Sequence, residues 1–285
     1  MINRPQNARK RAALVIGSGG TRCAASIGLW RVLRKEEIEI DLLVGASGGS
    51  IYAGAIACGL DPKTLESKTL DLWTPDLMEG YTTNLRAAMA GETRFSELSG
   101  LVDDRRLYTR LQEVYEDRTF SEVKIPLRVV ACDLHSGESV VISSGKIVDA
   151  VRASISIPFI FPPWQIGERL LVDGAVCDPL PIDIAIQERA EIILAMGFEL
   201  PTRRHMRSYS AVSAHFNSIY MNNILKASFA FHNLAHHAEI ITLLPDFEKQ
   251  VGTFDHHLVP EVIAAGEQAA LEQLPYLRKL LVSHD

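Results

Sequence analysis

The chain has 285 residues, 47% of them hydrophobic, and 29 Lys+Arg against 35 Asp+Glu give a formal net charge of −6. Such a balance excludes a disordered chain, and the acidity argues against a nucleic-acid partner, which would show a basic field. At ~150 residues per domain the length corresponds to one large or two small domains.

Residues 1–11 read as a basic arm with Arg4, Arg9, Lys10 and Arg11. The apolar strand that follows, 12–17, is too short for a signal-peptide core and ends in glycines. Residues 24–35 show apolar positions at helical spacing (Ile27, Trp30, Leu33), and a second strand begins after Asp41. The stretch from Leu42 to Leu60 is 19 residues without a charge, enough to span a bilayer at ~1.5 Å per residue. Its five glycines and two serines favour a buried strand, a tight turn and a buried helix over 48–57 instead. A strand–helix–strand unit with so short a crossover predicts parallel neighbours and a right-handed connection.

Residues 61–120 are more polar and mostly helical, and read as a cap segment over a single domain spanning 12–285. Further strands are expected at 126–131, 139–142 (as a hairpin), 169–172, 192–196 and 239–243. Helices are expected at 147–154, at 208–236 and from about Pro260 onward, and 158–163 reads as extended. Strands alternating with helices predict a three-layer α/β/α fold with a mainly parallel central sheet.

Three places carry residues suited to chemistry. Gly45-Ala46-Ser47-Gly48-Gly49 fits the G-x-S-x-G elbow, in which a strained strand-to-helix turn pushes a serine outward. The loop Gly17-Ser18-Gly19-Gly20-Thr21-Arg22 follows the first strand and matches neither a dinucleotide fingerprint nor a Walker A loop, which leaves a nest of amides for an anion. Asp173-Gly174-Ala175 closes an apolar strand, so its carboxylate falls at the sheet edge expected for Ser47 and could accept the serine proton. Taken singly, each also fits a plain structural role: a tight turn for the first two, a turn or helix cap for the aspartate.

Together these residues resemble the three signatures of the patatin-like phospholipase family. The resemblance extends to Arg152-Ala153-Ser154-Ile155-Ser156-Ile157-Pro158, to Phe161-Pro162-Pro163 and to Asp178-Pro179-Leu180-Pro181, and covers roughly residues 12–200 in order. It implies a patatin-like fold, Ser47 as nucleophile, Asp173 as its sole catalytic partner and the loop from Gly17 to Arg22 as oxyanion hole. The implied reaction is hydrolysis of lipid acyl esters through an acyl-enzyme, with no metal and no cofactor. The sequence departs from the family's usual residues at Ser18, Cys23, Gly48 and Ala175.

Two rival readings stand beside this one. An α/β-hydrolase would pair Ser47 with a histidine such as His232 or His256, and a non-catalytic acyl-binding protein would keep the fold alone. His232 and His236 have metal-ligand spacing, but Asn233 removes the general base of an H-E-x-x-H site, so exposed histidines are expected. Arg203, Arg204, His205 and Arg207, followed by Phe216, Ile219, Tyr220 and Ile224 at helical spacing, fit either brief contact with an anionic lipid surface or, the plainer expectation, a solvated loop and a core-facing helix. Cys23, Cys58, Cys132 and Cys177 form no CxxC pair, which points away from a disulfide scaffold and toward a cytoplasmic protein, peripheral at membranes at most. The expected partner is a lipid or acyl ester; oligomeric state is left open.

Overall fold

A computed structural model describes residues 9–202, 204–235 and 238–282. The chain runs through β1 (Ala12–Ile16), a 3-10 turn (Gly20–Ala24), α1 (Ala25–Lys35), β2 (Leu42–Ala46), α2 (Gly48–Ala57), α3 (Pro62–Leu72), α4 (Tyr81–Met89) and α5 (Arg105–Tyr115). It continues through β3 (Leu127–Asp133), β4 (Ser139–Ile142), α6 (Ile147–Ser154), β5 (Trp164–Ile166), β6 (Arg169–Asp173) and α7 (Ile182–Gln187). The last elements are β7 (Ile192–Met196), α8 (Tyr209–Ala235), β8 (Glu239–Leu243) and α9 (Val259–Val282).

The strands form one mixed sheet in the order β5-β6-β3-β2-β1-β7-β8, with β4 also paired to β3. From β3 through β8 every neighbouring pair on that path is parallel, whereas β4 and β6 run antiparallel to β3. Strands β1, β2 and β7 are buried along their whole length, as expected for a parallel sheet covered on both faces.

Alternate residues divide between two cores because side chains on a strand point to opposite faces. Ala13, Val15, Leu42, Val44, Ala46 and Val130 pack with Ile182, Ile184 and Ala185 of α7 and Leu225 of α8. Leu14, Ile16, Leu43, Val129 and Ala131 pack with helices on the other side, among them Ile27 of α1, Ile51 of α2, Ile147 of α6 and Val262 of α9. The result is the three-layer α/β/α sandwich that the sequence predicts. The uncharged run 42–60 is β2 and α2, and among the described residues no helix is long and apolar enough to cross a membrane.

Within 61–120, α3 and α5 join the helical layer through Leu65, Leu72, Leu107, Leu111 and Tyr115, while α4 buries no residue. Helix α3 starts where Asp61 caps it: the Asp61 carboxylate accepts from the amides of Lys63 and Thr64 at 3.0 and 3.1 Å, with Pro62 in the first turn. Two elements escape the periodicity: β5 is three residues long, and α7 six, both too short for a repeating pattern to register.

The expectation that Phe216, Ile219, Tyr220 and Ile224 face the core is overturned. Helix α8 instead buries Ser218, Asn222 and Leu225, while Phe216, Tyr220 and Ile224 are exposed and Ile219 is half-buried. Helical spacing alone gives a stripe without saying which side of the helix the sheet takes. Arg203 and His236 lie outside the described residues, as does the side chain of His232.

Candidate active site

The site begins at the end of β2. Strand β2 pairs with β3 as far as Ala46 opposite Val130, and β6 pairs with the same strand from Asp173 opposite Ala131. Because β4 overlaps both of these registers along β3, β2 and β6 must share the other edge. Where β2 leaves the sheet, β6 takes its place running the opposite way. Residues 47 and 173, 126 apart in sequence, thereby meet, and Ser47 Oγ donates to Asp173 Oδ2 at 2.7 Å.

Ser47 occupies the sharp turn between β2 and α2 with φ 52° and ψ −134°, in the left-handed half of the map that L-residues avoid. Such strain persists only where the surroundings over-determine it. The Ser47 amide donates to Ser154 Oγ at 2.9 Å, and Ser154 Oγ donates to the Val130 carbonyl at 2.6 Å. On the other side the Ser47 carbonyl accepts from Ser50 Oγ at 2.6 Å and from the Ser50 amide at 2.9 Å. The first turn of α2 presses against the end of β1: a Cβ on Gly49 would lie 2.2 Å from the Ile16 carbonyl oxygen, so only glycine fits.

Asp173 is 3% exposed and Ser47 6%. The second carboxylate oxygen of Asp173, Oδ1, accepts from the Ala175 amide at 2.8 Å, and the Asp173 amide donates to the Ser156 carbonyl at 3.0 Å. Burial pushes the carboxyl up to about 7, against the opposing effect of the bonds from Ser47 and Ala175. Desolvation outweighs two hydrogen bonds here because no cation among the described residues compensates the charge. Gly174 is required by close approach, since a Cβ there would sit 2.2 Å from the Val130 carbonyl oxygen.

The glycine loop lies against this elbow. Four of its amides are committed: Gly17 to the Met196 carbonyl at 2.9 Å, Ser18 to Pro179 at 2.8 Å, Thr21 to Thr253 at 3.0 Å and Arg22 to Gly19 at 3.2 Å. Among the described residues the amides of Gly19 and Gly20 are left without a carbonyl partner, and the position a Cβ of Gly48 would take is 3.0 Å from the Gly20 nitrogen. The six-residue loop thus divides into four residues that anchor it and two that keep donors free.

Arg22 is buried, and its guanidinium donates to the Val251 carbonyl. Burial lowers it to about 10, with Asp255 opposing, and its Nε has no partner among the described residues. With Thr21 Oγ1 donating to the Thr253 carbonyl at 3.0 Å, the loop is fastened to residues 251–253. Arg152 performs a similar service behind Asp173. Its guanidinium binds Asp104, Ser156 Oγ at 2.6 Å and the Pro162 carbonyl at 3.1 Å, and lies over the rings of Phe161 and Trp164.

The sequence identifies Ser47, Asp173 and the loop, and the structure brings all three together. It gives no role to Ser154, 107 residues from Ser47, or to residues 251–253. Ser154 lies in the run 152–158 that carries the resemblance, but nothing local ties it to Ser47 and nothing local marks 251–253, because their role is contact between distant segments. Among the described residues no group of three or more His, Cys, Asp or Glu could hold a metal ion. Among the described residues the hydrogen-bond partner of Ser47 Oγ is the Asp173 carboxylate.

A model of the patatin-like phospholipase family matches residues 14–186, and the chain belongs to that family. An uncharacterized NTE family protein of Mycobacterium tuberculosis is 30% identical over 188 residues, covering 66% of this chain and 49% of that protein. Patatin-like phospholipase domain-containing protein 7 of Rattus norvegicus is 25% identical over 186 residues, 65% of this chain and 13% of that one. The chain therefore spans about half the length of the mycobacterial relative and a small part of the rat protein. Among solved structures, VipD from Legionella pneumophila superposes over 95% of this chain and 67% of its own with a TM-score of 0.50 at 15% identity, a likeness of fold.

Proposed function

We propose that the protein is a serine lipid acyl hydrolase, of phospholipase A or esterase type, working through a Ser47–Asp173 dyad. The observation that carries this reading is the 2.7 Å hydrogen bond from Ser47 Oγ to Asp173 Oδ2 at a strained elbow, beside a loop with two free amides. Membership of the patatin-like phospholipase family supports the substrate class.

In this mechanism the Asp173 carboxylate, with a pKa of about 7, removes the proton from Ser47 Oγ as it attacks an ester carbonyl. A base poised near neutrality combines a useful ionised fraction with a useful proton affinity. The negative charge that develops on the carbonyl oxygen is met by the amides of Gly19 and Gly20, each such donor contributing about 2.7–4 kcal/mol to the transition state. The positive end of α2 acts in the same direction. Asp173 then passes its proton to the departing alcohol oxygen, leaving the acyl group on Ser47. Water enters, gives a proton to Asp173 and attacks the acyl carbon; collapse expels Ser47 Oγ, which takes that proton back, and the fatty acid departs.

We place this chemistry in one patatin-like domain, with the helical segment 61–120 as its cap, in a cytoplasmic protein that meets lipid at its periphery. The test is hydrolysis of short and long p-nitrophenyl esters by wild type, Ser47→Ala and Asp173→Asn, with labelling of Ser47 by an organophosphonate. Loss of turnover in both variants with unchanged circular dichroism is expected. A wild type that neither turns over nor labels would support an acyl-binding protein instead.

A further inference from the structure

Helix α8 is longer than the sheet it covers, and the excess lies on the side of Ser47. Asn222 exchanges two hydrogen bonds with the backbone of Leu200, at 2.7 and 2.9 Å, and Leu225 and Phe229 pack at Gly197. This part of α8 is therefore level with the carboxyl end of β7. The helix then descends toward β8, which begins at Glu239 and runs parallel to β7. Its part before Asn222 consequently rises past the carboxyl ends of the strands, by ~20 Å at 1.5 Å per residue. Ser47 follows the carboxyl end of β2, which is parallel to β7 across the intervening β1, so the projection and the site share one edge of the sheet.

The projecting part is apolar on its outer side. Val212, Phe216, Tyr220 and Ile224 recur every four residues and are exposed, Phe216 at 51% and Tyr220 at 64%, opposite the buried Ser218 and Asn222. The two rings stack at 6.4 Å between centroids. The charge is segregated as well: residues 200–238 hold four Lys+Arg, five His and no Asp or Glu, in a chain of net charge −6. Arg204 and Arg207, exposed, stand in the loop that leads into the tip of the helix. Phe159 and Val176, also exposed, follow Ser156 and Asp173 closely and add apolar surface beside the site.

We propose that this face docks on the surface of an anionic phospholipid bilayer, with Phe216 and Tyr220 entering the headgroup boundary and Arg204 and Arg207 meeting lipid phosphates. Aromatic side chains on one helix face with cations beside them are the composition that binds such an interface. The cations are no denser there than elsewhere, but the 35 Asp and Glu of the chain are excluded from the segment, as a surface that meets negative charge requires. The proposal extends the acyl-hydrolase reading by naming the phase in which substrate is met, and its test does not depend on that reading.

The full chain, as wild type and as Ser47→Ala, is sedimented with vesicles of phosphatidylcholine alone or mixed with phosphatidylglycerol. Both forms are expected to bind the mixed vesicles preferentially, and to be released at ~1 M salt, where screening falls to ~3 Å. R204E/R207E and F216S/Y220S are each expected to lower vesicle binding at least ~10-fold, while turnover of a water-soluble ester stays at the wild-type rate. Equal binding by the variants, or no preference for the anionic vesicles, overturns the proposal. So does a wild-type dimer in gel filtration that F216S/Y220S converts to monomer, which would assign the face to a second copy. Vesicle binding without ester turnover upholds the docking and removes the hydrolase reading; turnover without vesicle binding does the reverse.

Discussion

Ser154 grips Ser47 by its backbone: the Ser47 amide donates to Ser154 Oγ at 2.9 Å, and Ser154 Oγ donates to the Val130 carbonyl at 2.6 Å. The elbow is thereby fixed to β3, the strand whose edge also carries Asp173, and the hydroxyl of Ser47 stays free for Asp173. Ser154→Ala leaves a buried amide and a buried carbonyl unpaired, each costing about 1–3 kcal/mol. The expected outcome is a folded protein of lower melting temperature whose kcat falls ~10–100-fold while KM stays near the wild-type value, as for a misplaced reacting group. An unchanged kcat in steady-state ester hydrolysis would deny Ser154 a positioning role.

The buried Asp173 predicts opposite pH trends for activity and stability. Activity requires the carboxylate, so kcat/KM for a soluble ester should rise with pH through about 7, where burial has pushed this group. Asp178 is also pushed up to about 7, by burial and then by Asp183, so the rise should persist in Asp178→Asn if Asp173 is its source. A profile that flattens in Asp178→Asn would assign the titration to the other pair.

For stability the unfolded carboxyl releases its proton near 3.8 and the folded one at about 7. Between these values the folded state binds more protons, so the contribution is full below the lower value and is lost as pH rises through the upper one. Asp173→Asn does not titrate. Its melting temperature should gain on that of wild type between about pH 4 and pH 7 and level off above, measured by calorimetry; a constant difference would show that the buried carboxyl has an ordinary pKa.

Cys23 and Gly48 fill one space between them. A Cβ on Gly48 would come 3.0 Å from Cys23 Sγ and equally close to the backbone of Gly20, and Cys23 itself is fully buried. The two departures at these positions are thus complementary in volume. Gly48→Ala should destabilise more in the wild-type background than in Cys23→Ala, with a coupling of ~0.5–3 kcal/mol from a double-mutant cycle in urea. Additive effects would dissociate the two positions.

At the Asp-Gly turn, the departure at Ala175 should be harmless and a side chain on its neighbour should not be tolerated. Ala175 contributes its amide to Asp173 Oδ1, which any non-proline residue can do, whereas a side chain on Gly174 would collide with the Val130 carbonyl. Ala175→Gly should stay within about 1 kcal/mol of wild type, the cost of added backbone freedom. Gly174→Ala should abolish activity and lower the melting temperature markedly. Thermal unfolding and ester turnover of the pair decide this.

How much of this was legible in the sequence follows from the range of the forces involved. The elbow Gly45–Gly49 is local: an apolar strand, a turn that needs small residues and a buried helix follow one another within twenty residues. The same holds for the helices at 48–57 and 147–154, whose bounds agree with the structure. Asp173 was legible as a carboxylate closing a strand, and the loop as a row of amides. What the sequence did not separate is which of those amides are spent, because Pro179, Met196 and Thr253, which accept from them, arrive from three distant segments.

The sequence by itself determined the alternation of strand and helix, the strained serine and the chemistry available to it, since each depends on neighbours along the chain. Tertiary structure decided the pairing of Ser47 with Asp173, the clamp of Ser154 and the outward side of α8. Those depend on strand register and on which face of an element the sheet covers. Register is set by which residues of each strand must face the core, against partners far apart in sequence, and at β3 it lets β6 begin where β2 stops.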